Sequence, residues 1–150
     1  MNIQVIVGEP MVKEAGRKIT GPASAMAAAE PLMKQMADEV GRADQEYVFA
    51  VPLNTANECG APILLSMGGQ NYAQVDLRIL FRRLLSCGAA GFFLVHNHPS
   101  GSASFSSEDI DLTKSVKEAA KLLGFAFFDH LLIYSRYDWL SYHEQVGALV

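Results

Sequence analysis

From Cys87 to Val95 nine consecutive residues are apolar or glycine, and they run directly into His96-Asn97-His98-Pro99. A membrane-spanning helix needs about 20 residues, so this run cannot cross a bilayer. Its Ala89–Val95 part is also too short for a helix and reads as a strand buried on both faces. Such a strand belongs to the interior of a sheet covered by helices. It carries the chain from the core straight into a polar loop.

The rest of the chain supplies the matching elements. Tyr47–Leu53 is a strand candidate that turns through Asn54, Thr55 and Asn57, and Pro62–Met67 is another, stopped by Gly68-Gly69. Residues 74–86 place Leu77, Leu80, Phe81, Leu84 and Leu85 on one helical face, with Gly88 beyond the end. Residues 107–123 predict a second helix. Its stripe is Leu112, Val116, Ala119, Ala120 and Leu123, with Lys114, Lys117 and Lys121 off it and Gly124 following. Phe125–Ile133 and roughly Trp139–Tyr142 close the chain as strands. Upstream, Ala23–Val40 predicts a helix with Leu32, Met36 and Val40 at helical spacing, which Pro31 either divides or opens. Residues 1–22, with a strand candidate at Ile3–Val7 and scattered glycine and proline, read as a loosely packed arm. The expectation is an α/β (α+β) domain over residues 45–150, preceded by an arm and helix over residues 1–44.

Charge and cysteine usage narrow the setting. Twelve basic residues against sixteen acidic ones give −4, whereas a chain held to nucleic acid mainly by counterion release would lean basic. A local basic patch stays compatible with that balance. Arg78, Arg82 and Arg83 form one on the 74–86 helix, where a solvated helix face is the simpler reading than a phosphate site. Cys59 and Cys87 are neither a disulfide scaffold nor a paired-thiolate zinc motif, and Cys87 reads as a small buried apolar residue. The N-terminus lacks a basic segment followed by a long apolar one, so no secretory signal or membrane anchor is expected and the setting is cytoplasmic.

The chemistry lies in the polar loop. Residues two apart in extended backbone point to the same side, so His96 and His98 can aim both imidazoles at one point. Pro99 biases His98 towards extended geometry, and Gly101 permits a sharp turn. Asp109, in the first turn of the next helix, can fold back to the strand end. Two imidazoles and a carboxylate are three ligands, which leaves a fourth tetrahedral position for water, as in catalytic zinc sites. Ser106-x-x-Asp109 before an apolar-periodic helix is equally the pattern of a capping box. A lone His-x-His is also common at a strand end. A metal accounts for the pair and the carboxylate together, since two buried histidines without partners would be costly.

His-x-His-Pro, six residues, Ser, two residues, Asp resembles the metal motif of the JAB/MPN (JAMM) superfamily. The form His-Asn-His-Pro-Ser-Gly, with Asp129-His130 downstream, resembles its RadC-like branch, over about residues 45–146. That resemblance implies a JAB/MPN-like curved mixed sheet flanked by helices, with cytidine-deaminase-like layering. It implies one zinc ion per chain, held by His96, His98 and Asp109, and hydrolysis of a peptide or isopeptide bond in a peptide or protein substrate. Zinc lowers the pKa of bound water from about 15.7 towards 7, which supplies hydroxide near neutral pH. By the same resemblance Glu46, directly before Tyr47–Leu53, is the general acid/base, and Ser106 stabilises the oxyanion. Glu58 is the reserve for Glu46, and Glu108 a weaker one. His130 or Asp129 would hold a ligand imidazole from behind, though a strand turns these two to opposite faces, so only one can; a satisfied core polar pair is the alternative reading.

The chain departs from the RadC-like pattern at Ser102 and Phe105, where an acidic residue and a proline are common, so the cleft rim differs. Residues 1–44 do not resemble the helix-hairpin-helix DNA-binding region of longer RadC proteins. The alternatives are metal-dependent DNA processing, as the RadC label suggests, and a non-catalytic MPN-type interaction module. His143 reads as a surface residue, and Tyr134, Tyr137, Trp139 and Tyr142 suit either a sheet-edge core or a partner surface.

Overall fold

The computed structural model describes residues 13–40, 45–68, 74–135 and 138–149. In chain order the elements are β1 (Lys13–Lys18), α1 (Pro22–Val40), β2 (Tyr47–Leu53), β3 (Glu58–Gly60), β4 (Ile63–Met67), α2 (Leu77–Ser86), β5 (Gly91–Asn97), α3 (Ser107–Leu123), β6 (Ala126–Ile133), β7 (Trp139–Ser141) and α4 (Tyr142–Gln145). The strands form one seven-stranded mixed sheet, ordered β1-β3-β2-β5-β6-β7, with β4 also paired to β2. β5 and β6 are parallel and joined through α3, and the other pairings are antiparallel. This is the α+β arrangement expected, a mixed sheet flanked by helices.

Both faces of the sheet are covered, which is why the central strands are apolar throughout. On one face Ala50, Phe92, Leu94 and Phe127 pack against Leu80, Phe81 and Leu84 of α2 and Val116 and Ala120 of α3. On the other, Val51, Leu53, Phe93, Val95 and Leu131 pack against Ile19 and Ala25, Ala28 and Ala29 of α1. Alternate residues of one strand thus enter opposite cores, and none can be polar without a partner.

Several boundaries differ from the sequence reading. β1 lies within the segment read as a loose arm, because a strand of mixed polarity is held by backbone pairing with β3, which composition does not display. Ile3–Val7 lies outside the described residues, as does Tyr137, and so do the side chains of Leu32, Met36 and Val40. α1 runs through Pro31 without division; Pro22 takes the opening position. β5 extends to Asn97, so His96 is inside the sheet. Leu85, Leu122 and Leu123 are exposed, since the buried stripes are narrower than periodicity alone suggests. In α3 the buried line is Asp109, Thr113, Val116 and Ala120. Trp139–Ser141 is the last strand, and Tyr142 instead opens α4, buried against Phe105. Cys59 is buried and Cys87 half-buried, and no disulfide joins them. No helix among the described residues is long and apolar enough to cross a membrane.

Candidate metal centre

β2 and β5 run antiparallel with Val48 opposite His96. Directly opposed residues share a face, so Glu46, two residues before Val48, projects on the side of His96. Beyond β5, the His98 N–H donates to the Ile133 carbonyl at 2.8 Å, which keeps the chain extended for one more pair of residues. His98 therefore points where His96 points. The loop then turns back, with the N–H of Gly101 donating to the His98 carbonyl at 3.0 Å. Gly101 holds φ +80°, a conformation that strains other residues.

Asp109 arrives from α3 by way of its cap. The Asp109 N–H donates to Ser106 Oγ (3.1 Å), and the Ser106 N–H donates to Asp109 Oδ2 (2.8 Å), a complete capping box. The same Oδ2 lies 2.9 Å from His98 Nε2 and 3.2 Å from His96 Nε2. The capping box thus itself delivers the Asp109 carboxylate to the two imidazoles. The cap holds the carboxylate by its backbone-bonded edge against the imidazoles.

The two Nε2 atoms lie 3.1 Å apart, so the three donor atoms form a triangle with edges of 2.9 to 3.2 Å. A tetrahedral site with bonds of about 2.0–2.1 Å has donor–donor edges of roughly 3.3 Å. His98 Nδ1 lies 3.0 Å from the Ser102 carbonyl, which can only accept, so that nitrogen carries the proton. Its Nε2 then turns a lone pair towards Asp109. Such a convergence calls for a cation or a proton, and two imidazoles with a carboxylate are donors that suit zinc, iron(II) or manganese. The Glu46 carboxylate joins them, with one donor atom from each of Glu46, His96, His98 and Asp109 all within 4.8 Å of one another.

Burial and charge divide the roles. Burial lowers His96; hydrogen bonding to Asp109 only partly offsets it. Burial also pulls His98 down, but the hydrogen bond to Asp109, the Ser102 carbonyl and the two carboxylates outweigh it and raise the group. Burial pushes Asp109 up, and the His96 and His98 imidazoles beside it, when they carry a proton on Nε2, reverse this and hold it far below the usual carboxylate range. Glu46 behaves oppositely. Burial first, then the Asp109 charge, push it up to about 7 against a smaller opposing effect of His98.

That shift has a stability consequence in the metal-stripped protein. Unfolded, Glu46 ionises near 4.5, and folded near 7, so in between the folded state holds the extra proton. The stability tied to it is complete below the lower value and lost as pH rises through the upper one. Glu46→Gln should therefore exceed native stability at about pH 8 by about 1–2 kcal/mol, after solvent screening, and match it near pH 4. Urea denaturation at both pH values, in chelator, checks this; the same difference at both would contradict it.

The cleft in front of these groups has a volume of about 320 Å³. Val48, Val75, Leu77 and Leu112 contribute apolar lining, and Glu108 and Asp111 add carboxylates. Ser106 is half-buried, and capping uses its oxygen as acceptor, which leaves its hydroxyl hydrogen uncommitted by that bond. Glu58 is far from the site: it lies by the opposite end of β2 and accepts from Asn54 Nδ2 at 2.9 Å. Glu108 is an exposed part of the cleft lining. His143 is exposed, as are Arg78, Arg82 and Arg83, with Arg78 paired to Asp76.

Of the Asp129–His130 pair, His130 is the one brought to the site, with Nε2 2.7 Å from His96 Nδ1. The pairing of β5 with β6 shows why. Phe92 pairs with Phe127 and Leu94 with His130, so two steps along β5 match three along β6. This bulge resets the alternation, and His130 comes to the face that Phe127 already occupies. The Asp129 carboxylate accepts from the His130 N–H (2.7 Å), the His143 N–H (3.0 Å) and the Ser141 hydroxyl, and so ties the bulge to β7 and α4.

Two further residues shape the site without having stood out in the sequence. Asn97, between His96 and His98, accepts from the Tyr47 N–H at 2.7 Å and donates to the Gln45 carbonyl at 3.0 Å, which pins the backbone on both sides of Glu46. The only signal for it was its place in the motif. Thr113 lies one helical turn after Asp109 on the buried face of α3, a spacing that could have flagged it. The two departures in the loop also prove to touch the site: Ser102 through its carbonyl on His98, and Phe105 with its ring 6.1 Å from that of His96 and 5.5 Å from that of His130. Phe105 is thus packed behind the histidines, where a rim residue was expected.

Comparison with known proteins agrees with this geometry. Residues 23–147 match the model of the RadC-like JAB domain. Relatives include a UPF0758 protein of Carboxydothermus hydrogenoformans, 38% identical over 95 residues, which are 63% of this chain and 42% of that protein. A UPF0758 protein of Streptococcus suis is 32% identical over 121 residues, 81% of this chain and 49% of its own length. The chain thus spans less than half the length of these relatives. A family match over most of the chain, on a fold that converges two histidines and an aspartate beside a buried glutamate, shows that the chain belongs to the RadC-like JAB domain family.

Proposed function

We propose that the protein is a zinc-dependent hydrolase of the JAMM type, cleaving an amide bond in a peptide or protein, either a peptide or an isopeptide linkage. The observation that carries this reading is the donor triangle of His96, His98 and Asp109 with the Glu46 carboxylate beside it at the cleft. Bound there, zinc would supply Lewis acidity and a water acidic enough to ionise near neutral pH. The chain's own part is to orient and move protons. Glu46, buried beside the donor atoms, takes a proton from the attacking water and returns it to the leaving amine nitrogen. Asn97 holds the backbone from which it acts. Ser106 offers its hydroxyl hydrogen to the oxygen on which charge develops. The apolar lining from Val75, Leu77 and Leu112 suits a polypeptide side chain, and the cleft lining includes no lysine or arginine among the described residues to track a nucleic-acid backbone. Cys59 and Cys87 are not joined in a disulfide, which suits a reducing, cytoplasmic setting.

The test is metal content per chain by elemental analysis, on native protein and on His98→Ala purified identically, followed by assay against peptide, isopeptide and branched-DNA substrates. About one zinc in the native chain, lost in the variant, together with amide cleavage, is the expected result. No metal in either would remove the enzyme reading. Zinc with no amide cleavage would favour an interaction module, and DNA cleavage lost with His98→Ala would favour DNA processing.

A further inference from the structure

His96 is held from behind by a buried chain of polar groups. Its Nδ1 lies 2.7 Å from His130 Nε2, and His130 Nδ1 lies 2.6 Å from Thr113 Oγ1. The Thr113 hydroxyl donates to the carbonyl oxygen of Asp109 at 2.6 Å. His96 and His130 are 1% exposed and Thr113 is 0% exposed, so water does not reverse any link.

The direction of every bond follows from one end. A carbonyl oxygen can only accept, so it takes the single hydroxyl hydrogen of Thr113. Thr113 Oγ1 must then accept from His130, which places the His130 proton on Nδ1. A neutral His130 with that proton presents a lone pair at Nε2, and this accepts from His96 Nδ1–H. His96, neutral in turn, is left with a bare Nε2, the atom that faces Asp109 and His98. The chain starts on the backbone of one candidate ligand and ends on the ring of another.

We infer that Thr113 and His130 are positioning residues that lock His96 in the tautomer whose Nε2 is free to bind a metal ion. The inference rests on the metal centre proposed above, although the tautomer itself exists without metal. Loss of the Thr113 hydroxyl frees His130 to turn its proton arrangement round. His96 can then carry its proton on Nε2, where it must be expelled before a metal binds. Asp129 contributes indirectly, because the bulge it ties down sets His130 on this face.

Nitrogen-15 NMR of the full chain, stripped with chelator at a pH where the rings are neutral, reads the tautomer directly. The expected result is a protonated Nδ1 and a bare Nε2 at His96. A protonated Nε2 there overturns the inference, whether or not zinc binds. Zinc affinity by chelator competition is the second readout. Thr113→Val should bind zinc about 10–100-fold more weakly, and Thr113→Ser should restore native affinity. Native affinity in a folded Thr113→Val also overturns it. If that variant does not fold, the NMR result on the native chain decides. If the native chain binds no zinc, the metal reading fails while the tautomer measurement still judges the relay.

Discussion

Glu46→Gln is expected to lower amide hydrolysis by about 10³-fold while leaving one zinc bound per chain, because a lost general acid/base typically costs about 10²–10⁴. Glutamine keeps the size of the side chain and the backbone bonds from Asn97 and Gly68, so the change removes proton transfer and little else. None of the three donor atoms in the triangle comes from Glu46, so metal retention separates this outcome from collapse of the site. The loss should fall on kcat, with KM nearly unchanged, since the group acts on the reacting water. Steady-state kinetics with metal analysis of the same samples checks it. Retained turnover would remove Glu46 from the chemistry, and lost metal would make it a ligand.

Phe92→Ala is expected to be the most damaging single change to stability, at about 3–5 kcal/mol. Phe92 is fully buried at the centre of an aromatic cluster. Its ring stacks on Phe127 at 4.8 Å with planes 6° apart, and meets Phe81 and Phe125 edge-on at 6.0 and 6.3 Å. Alanine removes all of those contacts and opens a cavity between two rigid strands that cannot close in to fill it. Against a total stability of about 5–15 kcal/mol this is a large share, and the melting temperature should fall by roughly 10 °C. Leu122→Ala is the control. Leu122 is 87% exposed, and its loss should stay within about 0.5 kcal/mol. Thermal denaturation of both variants decides; equal effects would mean that the strand core is not where the stability lies.

Much of the site was legible because its spacing is local. His96 and His98 share a side by strand period, and Asp109 is carried to them by a cap that Ser106-x-x-Asp109 announces. The helix over 107–123 has the bounds its stripe and Gly124 predicted, with Gly124 in the left-handed conformation at φ +82°. Strand β1 was not legible, since neither its composition nor its periodicity distinguishes it from a loop. Cys87 proved half-buried because its helix end faces solvent more than its apolar surroundings suggested.

The sequence by itself singled out His96, His98 and Asp109 as candidate ligands and outlined the helix that carries Asp109 and the buried strand that carries His96, because each rests on a pattern within a few residues along the chain. Tertiary structure decided which of the buried pair Asp129 and His130 reaches His96, since a one-residue bulge against β5 overrides the period-two alternation. It also decided that Glu46, and not Glu58, meets the histidines. That outcome depends on the register of β2 against β5 and on the Asn97 bonds across some 50 positions of sequence. Register is set by packing on both sheet faces at once, and no local pattern encodes it.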